Sequence, residues 1–360
     1  MREKIPADPI MQRRASTLAP ALTAKPLIFL TECASCADST TGKLSSSMSL
    51  PSNPRIGLDI LGSDQDSNFL LESLLPGLGH FQQKASLTLF GEKKNRPLLS
   101  KAPFLLFEQA SQAILMEDDP ILALKEKPDS SIHRGLQALQ SGTIDAFISL
   151  GNTGALLAAS TMKLPALPFI QRAALIAFLP TKKGQMAVLD VGANTQYKSS
   201  HLVSFAAMGI ACQTVLGIQK PAVGLLNIGT EPGKGPKELR LAYQELKKKS
   251  PLFYGNIEAK EAFEGTVDVL VTDGFTGNVF LKTAEGISRL LRPDLDSQAY
   301  PGAILCGVEG IILKCHGAFS DKAILCSIEH AIKLVQGNFL QNMKEQLQHF
   351  FFMEKEEYFP

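Results

Sequence analysis

The chain has 360 residues, 45% of them hydrophobic, and its 36 basic and 35 acidic side chains leave a formal net charge of +1. This length and apolar content are enough for one large folded domain or two smaller ones. The balanced charge excludes the basic footprint of a nucleic-acid-binding protein, so we expect no nucleic-acid partner. No segment approaches the roughly 18 consecutive apolar residues of a membrane-spanning helix, so we expect no integral membrane protein. The 6 cysteines are scattered, which favours reduced thiols and a cytoplasmic protein.

Residues 1–54 are rich in Ser, Thr, Ala and Pro and have no sustained hydrophobic period, so we predict a flexible N-terminal extension. The apolar run at residues 26–30 adjoins Lys25 and is too short for the core of a secretory signal peptide. We therefore predict no signal peptide. We expect residues 55–350 to form a single α/β catalytic unit, and residues 351–360 to form a C-terminal tail.

Strand and helix patterns alternate continuously from Arg55 onward. Candidate strands are short apolar runs at residues 55–61, 86–90, 104–107, 173–179 and 252–256. Candidate helices have apolar residues at three- and four-residue intervals, at residues 130–140, 153–163, 199–208, 237–249 and 322–350, the last with a break at Gly337. This alternation predicts a mostly parallel sheet that is covered by helices on both faces.

Four further apolar runs each stop at a small polar cluster, and a helix-like pattern follows directly. The clusters are Gly151-Asn152-Thr153, Gly192-Ala193-Asn194, Asn227-Ile228-Gly229 and Asp273-Gly274. Each pattern predicts a buried parallel strand followed by a turn. Because the carboxyl ends of parallel strands share one edge of an open sheet, we expect the four clusters to line a common crevice. Backbone N–H groups and helix N-termini in such a crevice suit an anion.

Cationic side chains near these clusters supply charge that backbone dipoles lack. The candidates are Lys234, Lys282, Lys314 and His316. Each lysine is also consistent with a solvated surface charge, and His316 with a histidine that is hydrogen-bonded inside the fold. The pattern alone leaves these alternatives open.

Other kinds of site find no support in the sequence. Cys315 precedes His316, but adjacent residues on a strand point to opposite faces, so we do not expect a thiolate nucleophile activated by this histidine. The isolated pair Cys33 and Cys36 has no second Cys or His pair nearby, and no HExxH, GxSxG, Walker or GxGxxG motif occurs. We therefore expect no metal site and no serine nucleophile, and the sequence has no fingerprint of nucleotide binding.

Several motifs occur in one order along the chain. They are Met116-Glu117-Asp118-Asp119-Pro120 with Asp129-Ser130-Ser131, Gly151-Asn152-Thr153-Gly154-Ala155, Leu189-Asp190-Val191-Gly192-Ala193-Asn194, the run from Val223 to Glu231 with Lys234-Gly235, Asp273-Gly274-Phe275-Thr276-Gly277-Asn278, and Lys314 with His316-Gly317. With this ordered set, the chain from about Arg55 to Val335 resembles the PlsX family of bacterial phosphate acyltransferases. Each motif alone is loose, whereas the ordered set is specific.

The resemblance implies a three-layer αβα sandwich with an interdomain cleft, similar to isocitrate and isopropylmalate dehydrogenases and to phosphate acetyltransferase. It implies transfer of a fatty acyl group from acyl-[acyl carrier protein] to inorganic phosphate, giving acyl phosphate for phospholipid synthesis. No cofactor is implied, since the substrates are phosphate and acyl carrier protein with its phosphopantetheine arm. The implied partners are acyl carrier protein, a second copy of the chain in a homodimer, and a membrane glycerol-3-phosphate acyltransferase.

The resemblance also suggests site residues. The predicted catalytic residues are His316, Lys314, Asn278 and Asp273. The predicted phosphate- and thioester-binding residues are Asn152, Thr153, Asn194, Asn227, Gly229, Lys234, Lys282, Asp59 and Asp64. In this scheme the amides of Asn152, Asn194 and Asn278 donate hydrogen bonds to the carbonyl oxygen as negative charge builds on it. His316 or a lysine protonates the departing thiolate.

The chain departs from the family pattern in three places. The first motif, Asp-Ala-Met-Gly-Gly-Asp-His in the family, is here the run from Asp59 to Gln65, so glutamine replaces the histidine. The long helical insertion of most relatives is reduced to residues 287–299, which weakens the expectation of peripheral membrane contact. Residues 1–54 have no counterpart. Two alternatives remain: a short-chain phosphate acetyltransferase-like enzyme that uses acyl-CoA, and a non-catalytic scaffold that binds acyl-[acyl carrier protein].

Overall fold

The named strands all join one 11-stranded sheet in the computed structural model, which describes residues 53–291, 302–315 and 320–356. The strands are β1 (Arg55–Asp59), β2 (Ser86–Gly91), β3 (Leu106–Gln109), β4 (Ala146–Ser149), β5 (Ala174–Thr181), β6 (Gly184–Leu189), β7 (Val223–Leu226), β8 (Phe253–Ile257), β9 (Val269–Val271), β10 (Ala303–Cys306) and β11 (Ile311–Lys314). The predicted N-terminal extension lies outside the described residues apart from its last two positions, residues 53 and 54.

The α-helices are α1 (Ser67–Leu78), α2 (Pro120–Glu126), α3 (Ser131–Gln140), α4 (Thr153–Lys163), α5 (Ser199–Val215), α6 (Lys237–Lys249), α7 (Ala259–Ala262), α8 (Gly274–Leu291), α9 (Asp321–Gln336) and α10 (Phe339–Glu356). Gly79–Phe81 and Lys93–Lys101 form 3-10 helices. None of the helices within the described ranges is both long and apolar enough to cross a membrane.

The sheet is mixed, because its two halves run in opposite directions. The strand order is β3-β2-β1-β4-β11-β10-β5-β6-β9-β7-β8. Strands β3, β2, β1, β4 and β11 pair in parallel, and so do β6, β9, β7 and β8. Between these halves β10 pairs antiparallel with β11 and β5, and β5 pairs antiparallel with β6. The prediction of a mostly parallel sheet is confirmed, with a reversal at its centre.

This reversal corrects the expectation that all four polar clusters share one edge. The cluster after β4 lies in one half of the sheet, and the clusters after β6, β7 and β9 lie in the other half, whose strands point the opposite way. The expectation was wrong because it assumed parallel pairing throughout. The tight connection at Lys182 and Lys183 between β5 and β6 instead makes a hairpin and turns the chain over.

Helices cover both faces of the sheet, which confirms the three-layer αβα sandwich. One face packs against α1, α5, α6, α9 and α10, around a core that includes Leu71 and Phe205. The other face packs against α2, α3, α4, α7 and α8, around a core that includes Phe147 and Leu281. Each such buried side chain contributes roughly 1.5–3 kcal/mol through removal of apolar surface from water.

Helix α5 shows how burial can hide a helix from sequence analysis. Its residues 201–213 are all buried, because the helix packs against β6 and β9 and also against α6 and α10. A helix that is covered on all sides has no polar stripe and therefore little amphipathic period. The sequence pattern accordingly predicts only residues 199–208, whereas the helix continues to Val215.

The C-terminal helical pattern divides into α9 and α10, as the break at Gly337 predicts. Gly337 caps the end of α9, and Asn338 has a left-handed φ of 54°. Helix α10 continues to Glu356, inside the segment predicted as a C-terminal tail. Helix α1 has no counterpart among the predicted helices, although Asp66 caps it by accepting hydrogen bonds from two amides of its first turn.

Candidate active site

A small pocket lies where the two halves of the sheet meet. Its volume is about 120 Å³, and the apolar residues Leu175 and Ala177 of β5 and Ala303 of β10 form part of its wall. Its polar lining comes from α4, β11 and α8, through Thr153, Lys314, Asn278, Lys282 and Glu285. The pocket therefore brings together predicted site residues from both halves of the sheet.

Asn152 shapes the N-terminus of α4. Its Oδ1 accepts a 3.0 Å hydrogen bond from the amide of Ala155, which is the usual helix-capping contact. Its Nδ2 donates to three backbone carbonyls of the preceding loop, those of Leu115, Met116 and Asp118. The amide protons of Asn152 are thus engaged within the fold, and this side chain does not act as a free donor to an oxyanion. The N–H groups of Thr153 and Gly154 begin the helix and have no intrahelical acceptor, which suits an anion.

Lys314 ends β11, and its side chain is buried, with 7% of its surface exposed. Its Nζ donates hydrogen bonds to the backbone oxygens of Leu150 and Cys315. Burial lowers the pKa of Lys314 to about 8, an effect that the nearby charge of Lys282 reinforces and that of Asp59 opposes. An amine with this pKa is a proton donor well matched to a thiol, whose own pKa is about 8.5.

Asp59 and Asp64 belong to the end of β1 and the loop that follows it. Asp59 is completely buried. Its Oδ1 accepts a 3.0 Å hydrogen bond from the amide of Leu61, and its Oδ2 accepts a 2.8 Å bond from the hydroxyl of Ser149. Burial raises the pKa of Asp59 to about 6. Asp64 is exposed, and its charge favours the ammonium form of Lys314.

Helix α8 is fixed at its start by Asp273. The carboxylate accepts hydrogen bonds from the amides of Phe275 and Thr276 and from the Thr276 hydroxyl at 2.7 Å. This is the arrangement of a capping aspartate, so the carboxylate orients α8. The catalytic role that the sequence suggests for Asp273 stays a prediction.

Three pocket residues share one face of α8. Asn278, Lys282 and Glu285 are separated by four and three positions, a spacing that places side chains side by side on a helix. The Nζ of Lys282 donates a 2.8 Å hydrogen bond to the carboxylate of Glu285. The amide of Asn278 makes no hydrogen bond within the part of the chain that the structure describes. Of the three predicted asparagine donors, it is therefore the one that remains free to bind substrate.

Asp190 organises the loop after β6. Its carboxylate accepts hydrogen bonds from the amides of Leu175, Gly192, Ala193 and Asn194 at 2.6–3.2 Å. The side-chain amide of Asn194 donates to Asp190 at 2.9 Å and to the carbonyl of Ala173 at 2.7 Å. Asn194 thus ties this loop to the start of β5, and its amide protons are engaged.

The loop after β7 lies outside the pocket. The Oδ1 of Asn227 accepts a 2.8 Å hydrogen bond from the amide of Ile228, and its Nδ2 donates a 3.1 Å hydrogen bond to the carbonyl of Lys234. Lys234 is exposed, and a Cβ at Gly229 would lie 3.3 Å from its Cγ. These residues organise their own loop, and none of them lines the pocket among the described residues.

His316 lies outside the described residues, so its predicted catalytic role stays a prediction. The neighbouring Cys315 is buried and contacts the Ser327 hydroxyl through its Sγ at 3.0 Å. Burial raises the pKa of the Cys315 thiol. The expectation that this cysteine is no thiolate nucleophile agrees with this environment.

Ser149, Asp190 and Glu285 are not among the site residues that the sequence predicts. Asp190 follows an apolar run directly, as Asp273 does, and that position is the signal that could have found it. Ser149 ends an apolar strand and Glu285 lies on an ordinary helical surface. Their importance depends on which residues the fold places beside them.

Solved structures show which proteins share this fold. The chain is similar to the EutD phosphotransacetylase from Staphylococcus aureus (TM-score 0.54, 15% identity, covering 81% of this chain and 94% of that one). It is also similar to a phosphotransacetylase from Streptococcus pyogenes (TM-score 0.55, 15% identity, 82% and 95%). The fold is therefore that of the phosphotransacetylases, an αβα sandwich, here with its pocket between the two halves of the sheet.

Sequence relatives show the family. Residues 54–293 match the model of the family described as "Fatty acid synthesis protein". The chain is 36% identical over 325 residues to the phosphate acyltransferase of Thermotoga maritima, covering 82% of this chain and 97% of that protein. It is 37% identical over 315 residues to that of Chlamydia abortus (82% and 99%). The chain belongs to this phosphate acyltransferase family, as its motifs predict.

Proposed function

We propose that this protein transfers an acyl group from a thioester to inorganic phosphate, releasing acyl phosphate and a thiol. The observation that carries the proposal is the pocket in which Thr153, at the N-terminus of α4, meets Lys282 and Lys314. Two cationic side chains and a helix N-terminus around one small cavity suit a phosphate ion. The family to which the chain belongs supports the same reaction.

Phosphate needs placement more than activation. Its second pKa is about 6, so most of it is a dianion near neutral pH. In our proposal the free amides of Thr153 and Gly154 bind its oxygens, and the ammonium of Lys282 balances part of its charge. Glu285 holds that ammonium through its 2.8 Å hydrogen bond. Fixing the nucleophile beside the thioester makes the attack effectively intramolecular.

Attack on the thioester carbon builds negative charge on the carbonyl oxygen. We assign the stabilising hydrogen bond to Asn278, because the amide protons of Asn152 and Asn194 are engaged within the fold. A preorganised donor of this kind lowers the barrier by about 3–4 kcal/mol. The carbon–sulfur bond then breaks and the thiolate departs.

We further propose that the donor is fatty acyl-[acyl carrier protein] and that the reaction takes place in the cytoplasm without a cofactor. The family description, which names fatty acid synthesis, supports this donor. Lys234 is exposed and follows β7, so it lies on the same strand-end edge as the loops after β6 and β9. We assign Lys234 to the phosphodiester of the carrier's phosphopantetheine arm. The proposal includes a homodimer and a membrane glycerol-3-phosphate acyltransferase that consumes the product.

The test is to incubate the purified protein with long-chain acyl-[acyl carrier protein] and phosphate and to trap acyl phosphate with hydroxylamine. We expect hydroxamate that depends on phosphate and that forms much more slowly when acetyl-CoA is the donor. Lys93→Ala serves as the control variant, since Lys93 is exposed and does not line the pocket, and should be as active as wild type. Faster turnover with acetyl-CoA would identify a short-chain enzyme. Binding of acyl-[acyl carrier protein] without any turnover would identify a scaffold.

A further inference from the structure

Three polar residues stand in one row across three parallel strands. Asp59 of β1 pairs in register with Ser149 of β4, and Ser149 pairs in register with Lys314 of β11. Side chains of residues in register on adjacent parallel strands point to the same face of the sheet. The fold therefore places an aspartate, a serine and a lysine in one row on the same face of the sheet, although they are far apart in the sequence.

Ser149 joins the two charged residues. Its hydroxyl donates a 2.8 Å hydrogen bond to Asp59 and accepts a 3.2 Å bond from the amide of Gly151. Its backbone oxygen accepts a 3.0 Å bond from the amide of Cys315, the residue after Lys314. The carboxylate of Asp59 is thereby held at a defined place beside β4, the strand that separates β1 from β11.

The two charged residues differ in their access to the pocket. Lys314 lines the pocket, whereas Asp59 is completely buried and is not among its lining residues. Two of the ammonium protons bind the backbone oxygens of Leu150 and Cys315, and the third remains for the pocket. Asp59 therefore does not reach the pocket itself, and it can act on the reaction through a lining residue such as Lys314.

Several groups decide whether Lys314 keeps its proton. Burial favours the neutral amine and lowers the pKa of Lys314 to about 8, and the charge of Lys282 acts in the same direction. The charges of Cys315, Asp59 and Asp64 favour the ammonium form. Cys315 is itself buried with a raised pKa, so near neutral pH it is a neutral thiol. Asp59 is then the buried carboxylate that keeps the proton on Lys314, together with the exposed Asp64.

We propose that Asp59 is a positioning residue that keeps Lys314 charged, so that Lys314 can protonate the departing thiolate and then take up the proton that phosphate loses. This inference rests on the proposed function. It assigns the proton donor among the described residues, and it assigns a role to a carboxylate that cannot reach the substrate.

The proton balance closes without an outside acid. Monohydrogen phosphate attacks the carbonyl carbon through one oxygen, a carbon–oxygen bond forms, and the carbon–sulfur bond breaks. Lys314 gives one proton to the sulfur, which leaves as a thiol. The acyl phosphate still carries the proton of the original phosphate, and acylation makes this phosphate O–H group more acidic. That proton passes to the neutral amine of Lys314, which is then ready for the next turnover.

The test compares wild type with Asp59→Asn and Ser149→Ala, in acyl phosphate formation from acyl-[acyl carrier protein] at saturating phosphate between pH 6 and 9.5. We expect kcat of the wild type to fall above a pH of about 8, as Lys314 loses its proton. In Asp59→Asn this fall should move to lower pH by about 1 unit, because the favourable charge is gone. Ser149→Ala keeps every charge but removes the hydrogen bond that holds the Asp59 carboxylate, so it should shift the fall in the same direction by less. Lys314→Met should lower kcat by about 10²–10⁴-fold, the usual contribution of a general acid.

Two results would overturn the inference and show that the row is only structural. One is a loss of kcat in Asp59→Asn that is equal at every pH. The other is a pH profile that is the same as that of wild type in both Asp59→Asn and Ser149→Ala. Ser149→Ala keeps the test valid if Asp59→Asn does not fold. A wild-type protein that forms no acyl phosphate at any pH overturns the proposed function itself, which is a different result.

Discussion

The hydroxyl of Ser149 donates a 2.8 Å hydrogen bond to the carboxylate of Asp59 at a depth where neither side chain is exposed. This contact ties the ends of β1 and β4 together directly beneath the loop that leads into α4. A carboxylate at this depth can be charged only if polar neighbours compensate for lost hydration. The consequences can be measured in stability as well as in activity.

The first prediction concerns the pH dependence of stability. Burial raises the folded-state pKa of Asp59 to about 6, whereas the unfolded value is about 3.9. At a pH between these two pKa values, Asp59 holds its proton in the folded protein and loses it in the unfolded chain. The contribution of Asp59 to the free energy of unfolding is therefore greatest below the unfolded pKa and is lost as the pH rises through 6. From pH 4.5 to 7 this effect should cost about 2 kcal/mol. Urea unfolding at the two pH values measures it.

The matched variant is Asp59→Asn, which cannot titrate. From pH 4.5 to 7, the free energy of unfolding should decrease by about 2 kcal/mol less in this variant than in wild type. Groups that do not interact with Asp59 titrate equally in both proteins, so they cancel in the comparison. An equal decrease in the two proteins would refute the prediction.

The second prediction uses two glycines of α8. A Cβ at Gly277 would overlap the backbone oxygen of Asp190 and lie 2.8 Å from the side chain of Thr272, whereas a Cβ at Gly286 meets nothing within 4 Å. Gly277→Ala should therefore destabilise the protein by about 1–3 kcal/mol. Gly286→Ala should stabilise it by about 0.4–1 kcal/mol, because alanine limits the freedom of the unfolded chain. Chemical denaturation distinguishes the two signs, and equal effects would contradict the close packing of α8 on the loop after β6.

The third prediction concerns the loop after β6. Asp190→Ala removes the shared acceptor of several backbone amides, including those of Gly192 and Asn194. We expect a loss of about 2–4 kcal/mol in the free energy of unfolding, because the buried amide of Leu175 and the part-buried amides of the loop are left unpaired. Asp190→Asn keeps one oxygen acceptor and should lose less. If both variants unfold at the wild-type urea concentration, the loop does not depend on this carboxylate.

The fourth prediction concerns phosphate binding. Lys282→Ala should raise the KM for phosphate by about 10–100-fold, the loss that follows removal of one charge-assisted hydrogen bond. Glu285→Gln keeps an oxygen acceptor for Lys282 but removes the negative charge beside it, so it should lower that KM slightly. Initial rates at varied phosphate, with a fixed saturating thioester, measure both. An unchanged KM in Lys282→Ala would remove this lysine from the phosphate site.

The fifth prediction concerns the carrier. Lys234 is exposed and outside the pocket, and we assign it to the phosphodiester of the carrier's arm. Lys234→Ala should therefore raise the KM for acyl-[acyl carrier protein] several-fold and leave the KM for phosphate unchanged. The opposite pattern would place Lys234 in the phosphate site, as the sequence motif alone suggests. Lys93→Ala again serves as the control.

Local pattern was enough to find most of the structural elements and the polar clusters at strand ends. A strand needs only a short apolar run, and a surface helix is recognisable by its period, so β4, α3, α4 and α6 could be located along the chain. The family motifs likewise depend on residues that are close in sequence. The fold class and the family could therefore be recognised from the order of residues along the chain.

The direction and partners of the strands were decided by the tertiary structure. The antiparallel pairing of β5 with β6 and β10 depends on how the whole sheet is assembled, and the hydrophobic pattern of these segments does not indicate it. The same holds for the choice among the asparagines: Asn152, Asn194 and Asn278 look alike in sequence, yet the first two use their amide protons inside the fold. The sequence by itself determined which residues stand at strand ends. Only the tertiary structure decided that Asp59, Ser149 and Lys314 share one row, because strand register is set by the packing of the whole sheet.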